Sequence, residues 1–170
     1  AGFPYPRPPY AMTTLTWTDQ LALNQPQMDA THQEFVDLLA ETEAALPGPE
    51  DRLLALWDIL VAHTVVHFKQ EDDWMAATGF ASENCHSFQH QAVLQVMVEC
   101  GRRAREENDF EPLRLAVGEL ATWFPQHAQM MDASLAQHMA AVGFDPATGE
   151  RRELALAEPI TGCGGGSCGA

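Results

Sequence analysis

The chain has 170 residues, of which 46% are apolar and 19% charged; that is enough for one domain with its own core, and the composition is globular rather than disordered. Twenty-four acidic residues against nine Lys plus Arg give a formal charge of −15, which argues against nucleic acid, bound mainly through Lys and Arg, and against an anionic membrane surface. No apolar run approaches the roughly 18 residues of a membrane span.

The first ten residues carry four prolines and no apolar h-region. They read as part of an extended lead-in, residues 1–14, rather than a secretory signal, with Met12 a candidate start. A first helix is expected from Pro26 to Leu46, with proline at its opening and Met28, Phe35, Val36, Leu39 and Leu46 at the 3.6-residue period. Pro47-Gly48-Pro49 ends it. A second helix is expected from Glu50 to Thr78, with Leu53, Leu56, Trp57, Leu60 and Trp74 on one face and Gly79 as its stop. The third starts near Ser82-Glu83-Asn84 and runs to Asn108, carrying Val93, Met97, Cys100 and Ala104 inward. The fourth is expected as one helix from Glu111 to Gly143, with Leu113, Leu120, Trp123, Met131, Leu135 and Met139 on its stripe. Four such helices with short loops make an all-α, up-down-up-down antiparallel bundle over residues 15–144. Residues 145–170, ending in a glycine-rich stretch with Cys163 and Cys168, are expected as a flexible tail and as the segment that would engage a protein partner. Four scattered cysteines do not make a disulfide scaffold, so reduced thiols and a cytoplasmic location are expected, with Cys100 in the core and Cys85 an oxidisable thiol.

Most of the seven histidines interrupt apolar helical faces. His86 and His90 are four apart, which sets them about 40° apart around a helix and one turn along it, so both can reach one ion. His67 and Glu71 repeat that spacing with a carboxylate. His127 and Asp132 are five apart, an offset of about 140°, which requires Asp132 to reach sideways to a second ion. The first helix contributes His32. With alternating helix directions and about 1.5 Å per residue, all seven fall in one slab two or three turns thick. Burying five imidazoles and two carboxylates in an apolar core is costly without partners, so the cluster points to metal. Seven ligands over two ions, with room for an exogenous group, favour iron over tetrahedral zinc. The carboxylate-rich ferritin-like pattern fits poorly, because the one Glu-x-x-His is Glu83 with His86. His63, one turn before His67, and His138, about 16 Å beyond His127 along the helix, read as bystanders.

These residues resemble the hemerythrin family in its single-domain bacterial form, over roughly Leu15 to Phe144. The resemblance rests on Trp17, Met28-Asp29-Ala30-Thr31-His32, His67-Phe68 with Glu71-Asp72, the His86/His90 pair, and Trp123 with His127 and Asp132. It implies that His86, His90 and His127 hold one iron and His32 and His67 the other, bridged by Glu71, Asp132 and an oxygen atom. It also implies reversible binding of dioxygen at the iron held by His32 and His67: a carrier, store or sensor rather than an enzyme. Phe124, where the family more often has leucine, is expected with Trp123 to wall the oxygen pocket. Pro125 is expected to kink the fourth helix beside a ligand. The competing reading is a di-iron enzyme acting on peroxide, nitric oxide or ferrous iron. Histidine-rich ligation argues against it, since oxygen-activating sites in bundles are usually carboxylate-rich. Iron storage would suit the negative charge, but an isolated bundle has no cage.

Overall fold

The computed structural model describes residues 15–80 and 85–151. After a short 3-10 turn at Asp19–Leu21, the chain forms α1 (Pro26–Ala44), α2 (Glu50–Thr78), α3 (Cys85–Glu107) and α4 (Glu111–His127). A π-helical turn, Ala128–Asp132, joins α4 to α5 (Ala133–Ala141), and two-residue strands β1 (Phe144–Asp145) and β2 (Glu150–Arg151) follow. Helix α1 packs on α2 and α4, α2 on α3, and α3 on α4. With the short α1–α2 and α3–α4 connections this closes the expected antiparallel four-helix bundle. Among the described residues no helix is long and apolar enough to cross a membrane.

Local chemistry sets the helix ends. The Gln25 side chain accepts from the Met28 N–H at 2.6 Å, capping α1 just ahead of Pro26. Asp29 Oδ1 accepts from the Leu23 N–H at 2.7 Å and ties the incoming segment to that first turn. Helix α1 stops at Ala44 rather than Leu46, because the N–H groups of Leu46 and Gly48 bond three residues back, to Glu43 and Ala45, tightening the chain out of α geometry. Gly79 closes α2 with φ 75°, a left-handed conformation that costs glycine little.

The fourth helical segment departs from the expected single helix. Its periodicity runs through to the end, but the π turn at Ala128–Asp132 divides it. Beyond Gly143, Phe144 and Asp145 pair antiparallel with Arg151 and Glu150. Phe144 is buried with Met28, Trp74, Met75, Phe80, Leu135 and Met139. The Arg151 guanidinium donates to the Ala77 carbonyl, one of the last-turn acceptors that α2 leaves unpaired. Residues 1–14 and 152–170, with the lead-in, most of the expected tail and Cys163 and Cys168, lie outside the described residues.

Two apolar clusters make up the core. The larger joins Leu39, Leu53, Trp57, Leu60, Met97, Leu113, Val117 and Phe124 among others, with the Trp57 indole N–H donating to the Met97 carbonyl at 3.1 Å. The smaller is the one around Met28, Trp74 and Leu135. Each of α1, α2 and the α4–α5 segment crosses from one cluster to the other, and each carries buried histidine or carboxylate side chains at the crossing. His32 lies between Met28 and Phe35, His67 and Glu71 between Leu60 and Trp74, and Asp132 between Ala128 and Leu135. The apolar layers therefore bracket one polar layer and close it from water on both sides.

Candidate metal centre

All seven residues singled out by spacing, His32, His67, Glu71, His86, His90, His127 and Asp132, meet in that layer, and none is more than 2% exposed. Every imidazole turns Nε2 inward. Glu71 stands at the middle: Oε1 is 3.0 Å from His67 and 3.5 Å from His32, and Oε2 is 3.1 Å from His86 and 3.3 Å from His90. Asp132 divides its oxygens in the same way, with Oδ2 3.2 Å from His32 and Oδ1 2.9 Å from His86 and 3.1 Å from His127. Nε2 of His90 faces Nε2 of His127 at 3.2 Å. Two donor groups result, one of Glu71, His86, His90, His127 and Asp132 and one of His32, His67 and Glu71, each with its atoms within 4.8 Å of one another.

The π turn makes the Asp132 position possible. In a regular α-helix, residues five apart diverge by about 140°. A π turn bonds five residues back instead of four, so His127 and Asp132 come to the same face. The sideways reach expected from an unbroken helix is therefore corrected: Asp132 lies beside His127 as well as beside His32. Helix α4 continues through Pro125 to His127, and the irregularity in this segment is the π turn at Ala128–Asp132.

Both oxygens of Asp132 and Nε2 of His32 are buried without a hydrogen-bond partner, although imidazole nitrogen and carboxylate oxygen stand about 3 Å apart. The distances are short, but the directions are not those of hydrogen bonds. Buried carboxylate oxygens and imidazole nitrogens converging on shared points fit cations, and an arrangement of five nitrogens and two carboxylates fits two of them.

Electrostatics agrees. Burial disfavours charge on every group here, and the carboxylates and imidazoles reverse that for one another. Burial alone would lower His32, but the Asp132 and Glu71 carboxylates beside it raise its pKa from 6.5 to about 9. The same opposition takes His86 from 6.5 to about 10. His90 is raised, against burial, by Asp72 and Glu71; His127 is lowered, because burial outweighs the pull of Asp132. Glu71 and Asp132 lie well below the usual carboxylate range despite complete burial, held there by the surrounding imidazoles.

Aromatic rings seal the layer, and they separate the two expected pocket residues. Phe124 meets the His32 ring edge-on at 5.2 Å and stacks on Phe35 at 4.7 Å, so it borders the two-histidine group. Trp123 stacks on His127 at 4.4 Å, beside the three-histidine group. Neighbours on a helix point about 100° apart, so the two rings meet different histidines. Phe68 lies flat on His90, with centroids 3.9 Å apart and planes at 7°.

Three polar partners were not singled out from the sequence. Asp72 Oδ1 is 3.2 Å from His90 Nδ1, Gln89 Oε1 is 3.0 Å from His127 Nδ1, and Glu34 Oε2 is 3.2 Å from His63 Nε2. Each is an ordinary polar residue on a helix; Asp72 adjoins Glu71 within the stretch that carries the family resemblance, and Gln89 adjoins His90. His63 stays at the bundle edge, its ring 6.0 Å from His67, and burial with the nearby His67 lowers its pKa. His138 is a core residue facing the Thr78 carbonyl at 3.1 Å. Cys100 is free and buried in the larger cluster, as expected. Cys85, beside His86, is disulfide-bonded, which corrects the expectation of reduced thiols.

Residues 25–139 match the family model described as the hemerythrin HHE cation binding domain. A bacteriohemerythrin from Ralstonia nicotianae is 35% identical over 134 residues, which is 79% of this chain and 95% of that protein. No solved structure gives a significant match. With the bundle, the buried His/Glu/Asp cluster and this likeness over most of its length, the chain belongs to the hemerythrin family.

Proposed function

We propose that the chain is a non-heme di-iron protein that binds dioxygen reversibly, as a carrier, store or sensor, and that the bundle of residues 15–144 carries this activity. The observation that supports it most is the division of Glu71 and Asp132, each with one oxygen toward the two-histidine group and the other toward the three-histidine group. Placed so, the two carboxylates would be shared between two cations. His86, His90 and His127 would hold one iron, and His32 and His67 the other. The iron pair supplies the electrons for reversible combination with dioxygen.

The rest falls to the protein. Three nitrogens against two leaves the His32/His67 position the less filled, so an exogenous ligand belongs there. Phe124 and Phe35 cover that end and keep out water, which would otherwise compete for the position and carry protons to it. Glu71 and Asp132 would offset part of the cationic charge within the layer. Histidine-rich ligation with two carboxylates favours reversible binding over the turnover reading.

The test combines metal analysis with a visible spectrum of protein reduced without air and then exposed to oxygen. Two irons per chain, with an absorption band that appears with oxygen and fades on its removal, are expected. Two irons that pass directly to a stable oxidised form, with rapid consumption of peroxide or nitric oxide, would establish the enzyme instead. No iron would sink the assignment.

A further inference from the structure

Each imidazole with Nε2 inward has Nδ1 on its outer side, and these outer atoms are served unequally. His90 Nδ1 faces the Asp72 carboxylate at 3.2 Å, and His127 Nδ1 faces the Gln89 amide oxygen at 3.0 Å. Nδ1 of His32, His67 and His86 is buried with no partner among the described residues. The outer acceptors, including the one carboxylate among them, thus serve the three-histidine group. The two-histidine group has none.

Placement explains how Asp72 gets there. It follows Glu71 on α2, turned by about 100°, so Glu71 enters the layer while Asp72 passes round the outer edge of His90. The Asp72 side chain is 43% exposed, so it is not held by core packing. Phe68 fixes the plane of the His90 ring, which leaves the carboxylate to fix its tautomer and its rotation within that plane. An imidazole that donates its outer N–H to a carboxylate is committed to binding through the other nitrogen and is the more basic ligand for it.

We propose that Asp72 is a positioning residue for the metal centre: by accepting the His90 Nδ1–H it commits Nε2 to the cation and makes the three-histidine position the tighter of the two. This rests on reading the cluster as a two-metal centre. It makes the centre asymmetric in charge outside the ligands as well as in ligand number.

Zinc, which is diamagnetic and accepts imidazole and carboxylate ligands, is the probe. Full-length protein is loaded with zinc, the Nδ1–H resonances are followed by nitrogen-15 NMR, and affinities are measured by chelator competition. The wild type should bind two zinc ions unequally and show a downfield, slowly exchanging His90 Nδ1–H. Asp72→Asn should move that resonance upfield and weaken the tighter site about 10-fold, at the lower end for outer hydrogen-bond partners of metal ligands. Asp73→Asn removes the same charge from the neighbouring exposed residue paired with Lys69 and should change neither. An unmoved resonance in Asp72→Asn, or equal weakening in both variants, overturns the positioning role. Failure of the wild type to bind two zinc ions overturns the two-metal reading itself, which separates the two failures.

Discussion

Asp132→Asn in the metal-free protein tests whether the site is held together by charge before any cation arrives. Asp132 is 0% exposed and stands 3.2 Å from His32 and 2.9 Å from His86. These are the two imidazoles whose pKa values rise to about 9 and about 10. Near neutral pH the folded protein therefore keeps both protonated, whereas the unfolded chain, with pKa near 6.5, does not. A raised pKa contributes stability that is fully present below about pH 6.5 and is lost as pH rises through about 9 to 10. The asparagine leaves those imidazoles buried beside one carboxylate instead of two. Breaking a buried pair in this way costs about 3–5 kcal/mol. Urea denaturation of metal-free wild type and variant should show that loss at pH 6.5 and a loss that shrinks as pH rises through about 9 to 10 and is smallest above that range, where His32 and His86 have given up their protons in both proteins. The same loss at every pH, or none at pH 6.5, would refute the account and leave Asp132 with a role only in the loaded protein.

Metal binding should itself release protons, because His32 and His86 are protonated at neutral pH before loading. Apparent affinity for divalent metal should rise with pH toward about 10, and calorimetry in buffers of different ionisation enthalpy would count the protons. Phe124→Ala removes a ring 1% exposed that packs on His32 and Phe35. It should cost about 3–5 kcal/mol in denaturant titration, and the iron-loaded reduced protein should oxidise faster in air as water reaches the His32 end. Trp57→Phe loses the indole hydrogen bond to Met97 across α2 and α3; about 1–2 kcal/mol is expected from the same titration, with metal content unchanged.

Sequence alone determined which helices form, which faces are apolar, and that all seven site residues share one depth. Helical periodicity places a side chain by its own position in the chain, and residues at one spacing on several helices need no further information to share a layer. His32, His67, Glu71, His86, His90 and His127 were legible for that reason. Where geometry departs from an ideal helix, periodicity fails. The π turn at Ala128–Asp132, invisible in the pattern, decides that Asp132 faces His127. Direction around a neighbouring helix is equally hidden, so the separation of Trp123 from Phe124 and the outer contacts of Asp72 and Gln89 emerge only once α2, α3 and α4 are packed. Such contacts join residues whose individual sequence signals are those of ordinary surface positions. The hairpin of Phe144–Arg151 is the same case: two-residue strands carry almost no alternation, and burial of Phe144 against α5 and α2, a tertiary event, is what holds them. Local propensity wrote the elements and their inward faces; the packing of those faces decided which atoms meet.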